Sequence, residues 1–189
     1  TNLAPQAEIA TDPRWRRFSG TFGEDPELAA DFTRAYIDGF QTSYGEDLIE
    51  NGWGYASVNC MVKHWPGGGS GEGGRDAHLC FGKYAVFPGD NMQTAMDVFE
   101  KGAFKLDGPT KSASAIMPYY TISYGQDPSR ENVGNSYSSY IIDDLLRGKY
   151  RFEGVGCTDW GITRDCKEVD IQSGMPWGVE GLSVAERHY

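Results

Sequence analysis

The chain has 189 residues, 39% hydrophobic, 13% aromatic and 23% charged, a balance that excludes a disordered or fibrous polypeptide and is enough to bury a core. Its formal net charge of -10 and pI of about 4.7 argue against nucleic acid or an anionic membrane as partner, because phosphate binding needs clustered Lys and Arg; a neutral substrate suits it better. No stretch approaches the ~20 apolar residues that cross a bilayer, and no charged segment followed by an apolar one opens the chain, so neither a transmembrane helix nor a signal peptide is expected.

Taken in chain order, Leu3 to Ile9 reads as a short buried strand that runs into the turn-rich stretch Thr11-Asp12-Pro13-Arg14-Trp15. From Pro26 the spacing predicts a helix ending near Gln41: Pro26 suits a first turn, Glu27 favours the dipole, and Leu28, Phe32, Ala35, Tyr36 and Phe40 recur at three- and four-residue intervals. Tyr55 to Val62 is a second strand, ending in Lys63-His64-Trp65-Pro66 and a loop with six glycines between Gly67 and Gly74. Met92 to Lys101 reads as a helix on Met92, Ala95, Met96 and Phe99, and Ala113 to Met117 as a third strand. Ser138 to Arg147 is another helix, with Tyr140, Ile141, Leu145 and Leu146 on its apolar side and Gly148 as C-cap, and Gly154 to Thr158 is a fourth strand.

Strands alternating with helices across long connections argue for parallel β/α units, and apolar strands ending in polar loops suggest an α/β fold of the TIM-type barrel. Four units do not close an eight-stranded barrel, which typically needs about 250 residues. Residues 1–189 are therefore expected to be an incomplete (β/α) barrel, one portion of a larger protein, and they contain no internal repeat. The four cysteines, Cys60, Cys80, Cys157 and Cys166, form no C-x-x-C pair and are read as mostly buried free thiols. The 25 glycines and 11 tyrosines suit a sugar site, where ring faces stack on C–H surfaces and backbone must come close.

The segment Lys149-Tyr150-Arg151-Phe152-Glu153-Gly154-Val155-Gly156-Cys157-Thr158-Asp159-Trp160-Gly161 resembles the signature of glycoside hydrolase family 3, in which a G-F-D-G-like turn leads into a strand ending S-D-W; Thr158 stands in place of the usual Ser. The resemblance makes Asp159 the catalytic nucleophile, and a carboxylate at the C-terminal end of a barrel strand is where active sites of this fold form. Taken by itself, Asp159 better suits a loop residue capping the next helix or hydrogen-bonding its own backbone, and the other motifs reverse that preference. The run Asp12 to Pro26 resembles the family's R-D-P-R-W-G-R-N-x-E-x-F-G-E-D-P, with Arg16 and Gly20 departing from the usual Gly and Glu. The likeness places Arg17 beside the bound sugar and the nucleophile, donating to hydroxyls and offsetting carboxylate charge. At least one of Arg14, Arg16 and Arg17 is expected to be merely solvated.

Lys63-His64-Trp65 is similar to the family's K-H-F strand end, which implies that Lys63 and His64 bind sugar hydroxyls; three donors on Lys and one of each kind on His can grip a diol. Met117-Pro118-Tyr119-Tyr120 resembles its M-x-x-Y, which places Tyr120 near the nucleophile as a hydrogen-bond donor to it, the plain alternative being a core tyrosine. Trp160 would wall the site. Arg75 could match an arginine that the glucosidases use on the sugar. Asp76-Ala77-His78, however, also resembles the D-S-H loop of the family's bacterial β-N-acetylglucosaminidases, where an Asp–His pair acts as acid/base. Against that stand Gly67-Gly68-Gly69-Ser70, which lack the second His of that group's pattern, and a structural role for His78 is the alternative.

The resemblance runs from Leu3 to about Trp160 and implies a retaining exo-β-glycosidase acting on terminal β-linked glucose, with β-N-acetylglucosaminidase, β-xylosidase and a sugar-binding barrel without turnover as alternatives. It implies no metal and no organic cofactor. The acid/base Glu is expected from a C-terminal sandwich domain of the same parent protein, so that the 189 residues alone turn over little. The start of the barrel and its last units are likewise expected outside this chain, and Met175 to Gly178 is given no role. Compartment is left open, with periplasmic or secreted preferred to cytoplasmic for a parent with a trimmed N-terminus.

Overall fold

The computed structural model describes residues 1–79 and 81–162. Cys80, Cys166 and the stretch containing Met175 to Gly178 lie outside the described residues. Among the described residues, Cys60 is buried, Cys157 half-buried, and both are free thiols. No helix among them is long and apolar enough to cross a membrane.

Helix α1 spans Pro26–Gln41, with Asp25 as N-cap accepting from the Leu28 N–H and Pro26 in the first turn, where its missing N–H leaves nothing unpaired. A hairpin of β1 (Leu48–Glu50) and β2 (Trp53–Gly54) follows. Then come β3 (Met61–Trp65), β4 (Tyr84–Ala85), α2 (Met92–Phe99), which continues as a π-helical turn over Glu100–Phe104, β5 (Ala115–Pro118) and β6 (Ile122–Ser123). A wide π-type helix, Tyr140–Lys149, leads to β7 (Val155–Gly156).

The central sheet is parallel, in the order β3-β5-β7, with α2 and its π turn crossing from β3 to β5 and the Tyr140–Lys149 helix from β5 to β7. On the far edge of β3 the N-terminal segment runs parallel, bridging Asn2 to Cys60 and Gln6 to Lys63. The Lys63 N–H donates to the Pro5 carbonyl and the Ala7 N–H to the Lys63 carbonyl. The expected Leu3 to Ile9 strand is thus an extended segment, interrupted where Pro5 has no N–H to give. Four neighbouring parallel positions with covering helices make an α/β portion of a barrel. The pair β4-β6 is built from the loops that leave the C-terminal ends of β3 and β5.

Boundaries differ where turn chemistry outweighs β propensity. The expected Tyr55 to Val62 strand is shifted to Met61–Trp65, because Ser57 accepts from the Gly54 N–H and turns the chain after the hairpin. Gly148 is not a C-cap; the last helix runs through it to Lys149, the Tyr150 N–H closes onto the Leu145 carbonyl, and Arg147 donates to the Gly154 carbonyl. The apolar face of α1 also differs from its expected stripe: Ala29, Ala30, Thr33, Ile37 and Gln41 are buried, while Leu28 and Phe32 are 48% and 51% exposed.

The core between sheet and helices centres on Trp65, fully buried, its ring edge-on to Phe99 and Tyr150 and its indole N–H donating to the Ile141 carbonyl at 3.1 Å. Trp65 thereby ties the end of β3, next to Lys63 and His64, to both crossover helices. Trp65→Ala should lower the unfolding free energy of the chain by about 3–5 kcal/mol in urea titration. Trp65→Phe, which keeps a ring and loses the indole bond, should lower it by less.

Candidate active site

Beyond the C-terminal ends of β3, β5 and β7 lies a cavity of about 310 Å³ lined by Arg16, Arg17, Lys63, His64, His78, Met117, Asp159 and Trp160, within the size range of small-molecule sites. Asp159 follows β7 and is buried. Its Oδ1 accepts from the Trp160 N–H at 2.7 Å, while Oδ2 is buried and has no hydrogen-bond partner among the described residues. Paired on one side and bare on the other, the carboxylate presents one fixed oxygen. His64 Nε2 stands 3.7 Å from it.

Lys63 and His64 are adjacent on β3, yet both line the cavity. The pairing of β3 with β5 slips between Lys63 and Trp65, which breaks the usual alternation of faces. The Lys63–His64 peptide is cis. Burial holds the Lys63 ammonium below its usual pKa, the Arg17 charge acts the same way, and the carboxylates of Asp159 and Glu8 oppose them.

Arg17 is the hub. Its Nη1 donates to His64 Nε2 at 3.3 Å and to His78 Nε2 at 3.4 Å, and its Nη2 donates to Gln6 Oε1 at 3.0 Å. A guanidinium has no acceptor, so both imidazoles present a bare Nε2 to it and carry their proton on Nδ1. His64 Nδ1 then donates to Glu8 Oε1 at 2.5 Å, and His78 Nδ1 to Asp76 Oδ1 at 2.6 Å. Burial pushes the Asp76 carboxyl up, but hydrogen bonds from the His78 ring and backbone N–H, together with the nearby Arg16 charge, outweigh it and hold Asp76 below the ordinary value. Tyr119 packs between the two histidines, ring centroids 4.5 Å from His64 and 5.8 Å from His78, and burial holds its phenol well above the usual range.

The sequence profile of the glycosyl hydrolase family 3 N terminal domain matches residues 1–173. The chain belongs to glycosyl hydrolase family 3. Among its family 3 relatives, it is 43% identical over 199 residues to the periplasmic beta-glucosidase/beta-xylosidase of Dickeya chrysanthemi and 38% identical over 186 residues to beta-glucosidase C of Emericella nidulans. In each case 98% of this chain is covered, and the chain spans 28% of the length of these relatives. It also superposes on a fungal multi-domain GH3 beta-N-acetylglucosaminidase with a TM-score of 0.64 and 25% identity, over 84% of this chain and 16% of that one.

Of the family 3 site residues expected from the sequence, Asp159, Arg17, Lys63, His64, His78 and Trp160 come together in the cavity, and Asp76 lies behind His78. Trp160 is 64% exposed, as a wall residue would be. Arg75 does not join them: it is exposed and pairs with Glu72 at 3.2 Å, because the turn from Glu72 to Gly74 carries it outward. Tyr120 is buried beside the site, and its hydroxyl donates to the Trp160 carbonyl at 2.5 Å, where a bond to Asp159 was expected. Arg14 is exposed and pairs with Asp12 at 2.6 Å, and Arg16, also exposed, reaches to 3.8 Å from Asp76. Sequence reasoning missed Glu8 and Gln6. The signal was the one charged residue, Glu8, two positions after Gln6 in a segment expected to be a buried strand, where each must find a buried partner.

Because the Asp76 pKa is depressed in the fold, its contribution to stability is full above the ordinary Asp value of 3.8 and is lost as pH falls through the lower folded value. Asp76→Asn should therefore be less stable than the parent sequence near neutral pH, with the gap in urea midpoints narrowing as pH is taken from about 7 to about 3.

Proposed function

We propose that the chain is the nucleophile-bearing portion of a retaining exo-β-glycosidase that removes terminal β-linked glucose from oligosaccharides or glucosides. The observation that carries this reading is the buried Oδ2 of Asp159, without a hydrogen-bond partner among the described residues and held at a strand end over a cavity lined with sugar-hydroxyl donors. In the first step Asp159 Oδ2 bonds to the anomeric carbon as the bond to the aglycone oxygen breaks, and that oxygen takes a proton from the acid. In the second, water gives its proton to the same group, its oxygen attacks the anomeric carbon and the Asp159 carboxylate leaves, so configuration is retained. Lys63 and Arg17 donate to sugar hydroxyls, His64 accepts beside them through its bare Nε2, and Trp160 covers one sugar face. The acid/base is a Glu on a C-terminal domain of the longer parent, so the 189 residues by themselves should turn over little. The Dickeya relative, a beta-glucosidase/beta-xylosidase, supports glucose first and xylose as the near alternative.

A second reading, a β-N-acetylglucosaminidase, has one observation in its favour: the Asp76–His78 pair is formed, and His78 lines the same cavity as Asp159. It would make His78 the acid/base and the acetamido sugar the substrate.

The test is intact mass spectrometry and peptide mapping of the full-length parent after exposure to 2-deoxy-2-fluoro-β-glucosyl fluoride, since fluorine at C2 slows the second step and lets the glycosyl enzyme accumulate. One glucosyl adduct on the Asp159 peptide is expected, and Asp159→Ala should lose it along with at least about a thousandfold of kcat. Labelling by a 5-fluoro-β-GlcNAc fluoride in its place, with activity abolished by His78→Ala, would establish the second reading. Binding of glucose with no adduct from either reagent would leave a sugar-binding barrel.

A further inference from the structure

We infer that Glu8 and Gln6 are positioning residues that fix the orientation of Arg17 and His64 through a closed ring of four hydrogen bonds. Arg17 Nη2 donates to Gln6 Oε1 at 3.0 Å, Gln6 Nε2 donates to Glu8 Oε2 at 3.0 Å, His64 Nδ1 donates to Glu8 Oε1 at 2.5 Å, and Arg17 Nη1 donates to His64 Nε2 at 3.3 Å. Each member has a different capacity. Arginine can only donate, an ionised carboxylate can only accept, and a glutamine amide and an imidazole each offer one donor and one acceptor side. The ring therefore holds four donor and four acceptor sides, and only one arrangement matches them all. In that arrangement His64 carries its proton on Nδ1 and turns its bare Nε2 toward Arg17 and the Asp159 side of the cavity.

The surroundings are shaped to the ring. A Cβ on Gly20 would come within 2.8 Å of Gln6 Oε1, and a Cβ on Gly68 within 2.3 Å of Glu8 Oε1. Glycine at these two places leaves the room that the amide and the carboxylate occupy. At Gly20 the usual family residue is Glu, so the Gln6 side chain takes space that a side chain there would fill. The Glu8 side chain is completely buried and His64 nearly so, which keeps water from substituting for a lost partner.

Counting donors gives a test. In Glu8→Gln the ring has five donor and three acceptor sides, and one donor must face another whichever way the amides turn. In Gln6→Glu there are three donors and five acceptors, and two carboxylates face each other. In the double exchange, Gln6→Glu with Glu8→Gln, the count returns to four and four: the carboxylate now at position 6 accepts from Arg17 and from the amide now at position 8, whose oxygen accepts from His64 Nδ1. The substitutions are isosteric, so volume does not separate the singles from the double.

The chain contains three histidines, His64, His78 and His188, which makes nitrogen-15 spectra of the imidazoles assignable. In the unaltered chain His64 should be protonated on Nδ1. Glu8→Gln and Gln6→Glu should each disturb that state or unfold the chain, and the double exchange should restore both fold and tautomer. In the full-length parent, each single change should raise KM for a 4-nitrophenyl β-glucoside by roughly tenfold, more than it lowers kcat, and the double should return to within about threefold. The kinetic arm rests on the glycosidase reading; the nitrogen spectra do not, so a parent inactive on glucosides leaves the ring tested. His64 protonated on Nε2 in the unaltered chain, a Glu8→Gln variant with unchanged tautomer and KM, or a double exchange no better than the worse single would each overturn the proposal.

Discussion

A guanidinium donates and never accepts, and Arg17 stands at the centre of the site with two imidazoles and one amide around it. That restriction orders everything it touches. His64 and His78 must each turn a bare nitrogen to Arg17, their protons must go to the far side, and the far side must offer carboxylates, which Glu8 and Asp76 do at 2.5 and 2.6 Å. The carboxylates in turn need burial without loss of hydrogen bonding. Glu8 obtains it from the N-terminal segment running beside β3, Asp76 from the loop that leaves β3. The fold supplies these positions because parallel strands deliver their C-terminal loops to one end.

Much of the architecture is legible as pattern. The helices at Pro26, Met92 and near Ser138, and the parallel alternation, follow from periodicity and from turn residues that physically stop each element. What periodicity does not tell is which face of α1 is buried. Leu28, Phe32, Tyr36 and Phe40 form the more hydrophobic stripe, but the buried face is built from Ala29, Ala30, Thr33 and Ile37. The reason is closeness: a Cβ on Gly102, in the π turn after α2, would lie 2.7 Å from the Ala30 carbonyl. Two helices approach that near only through small residues, and hydrophobicity is a poor guide to a contact selected for size.

The site divides in the same way. Asp159, Arg17, Lys63 and His64 are readable because each sits in a run of residues with a recognisable order. Arg75 is read from its type and its place in a glycine-rich loop, and in such a loop backbone freedom, not side-chain type, decides direction. Glu8 and Gln6 escape because their role is defined only by partners far away in sequence; Glu8 meets His64 across 56 positions and Gln6 meets Arg17 across 11. Tyr120 is assigned to the right neighbourhood, but the sequence does not tell which acceptor a buried phenol takes, and here it is the Trp160 backbone carbonyl.

Among the described residues, two carboxylates in this site keep a buried oxygen without a hydrogen bond, Oδ2 of Asp159 and Oδ2 of Asp76, and they are not equivalent. The Asp76 oxygen has the Arg16 guanidinium 3.8 Å away, and its other oxygen accepts twice from His78. The Asp159 oxygen faces the cavity with a lone pair of His64, not a proton, as its near neighbour at 3.7 Å. An oxygen without a donor keeps its electron density unshared, whereas one tied to a histidine serves to hold that histidine. His78 is in turn constrained by Arg17: to give a proton to a leaving group from Nε2 it would have to carry that proton where Arg17 Nη1 already points one at it from 3.4 Å. As arranged, the Asp76–His78 pair supports Arg17, and acid/base work by His78 requires the guanidinium to move first.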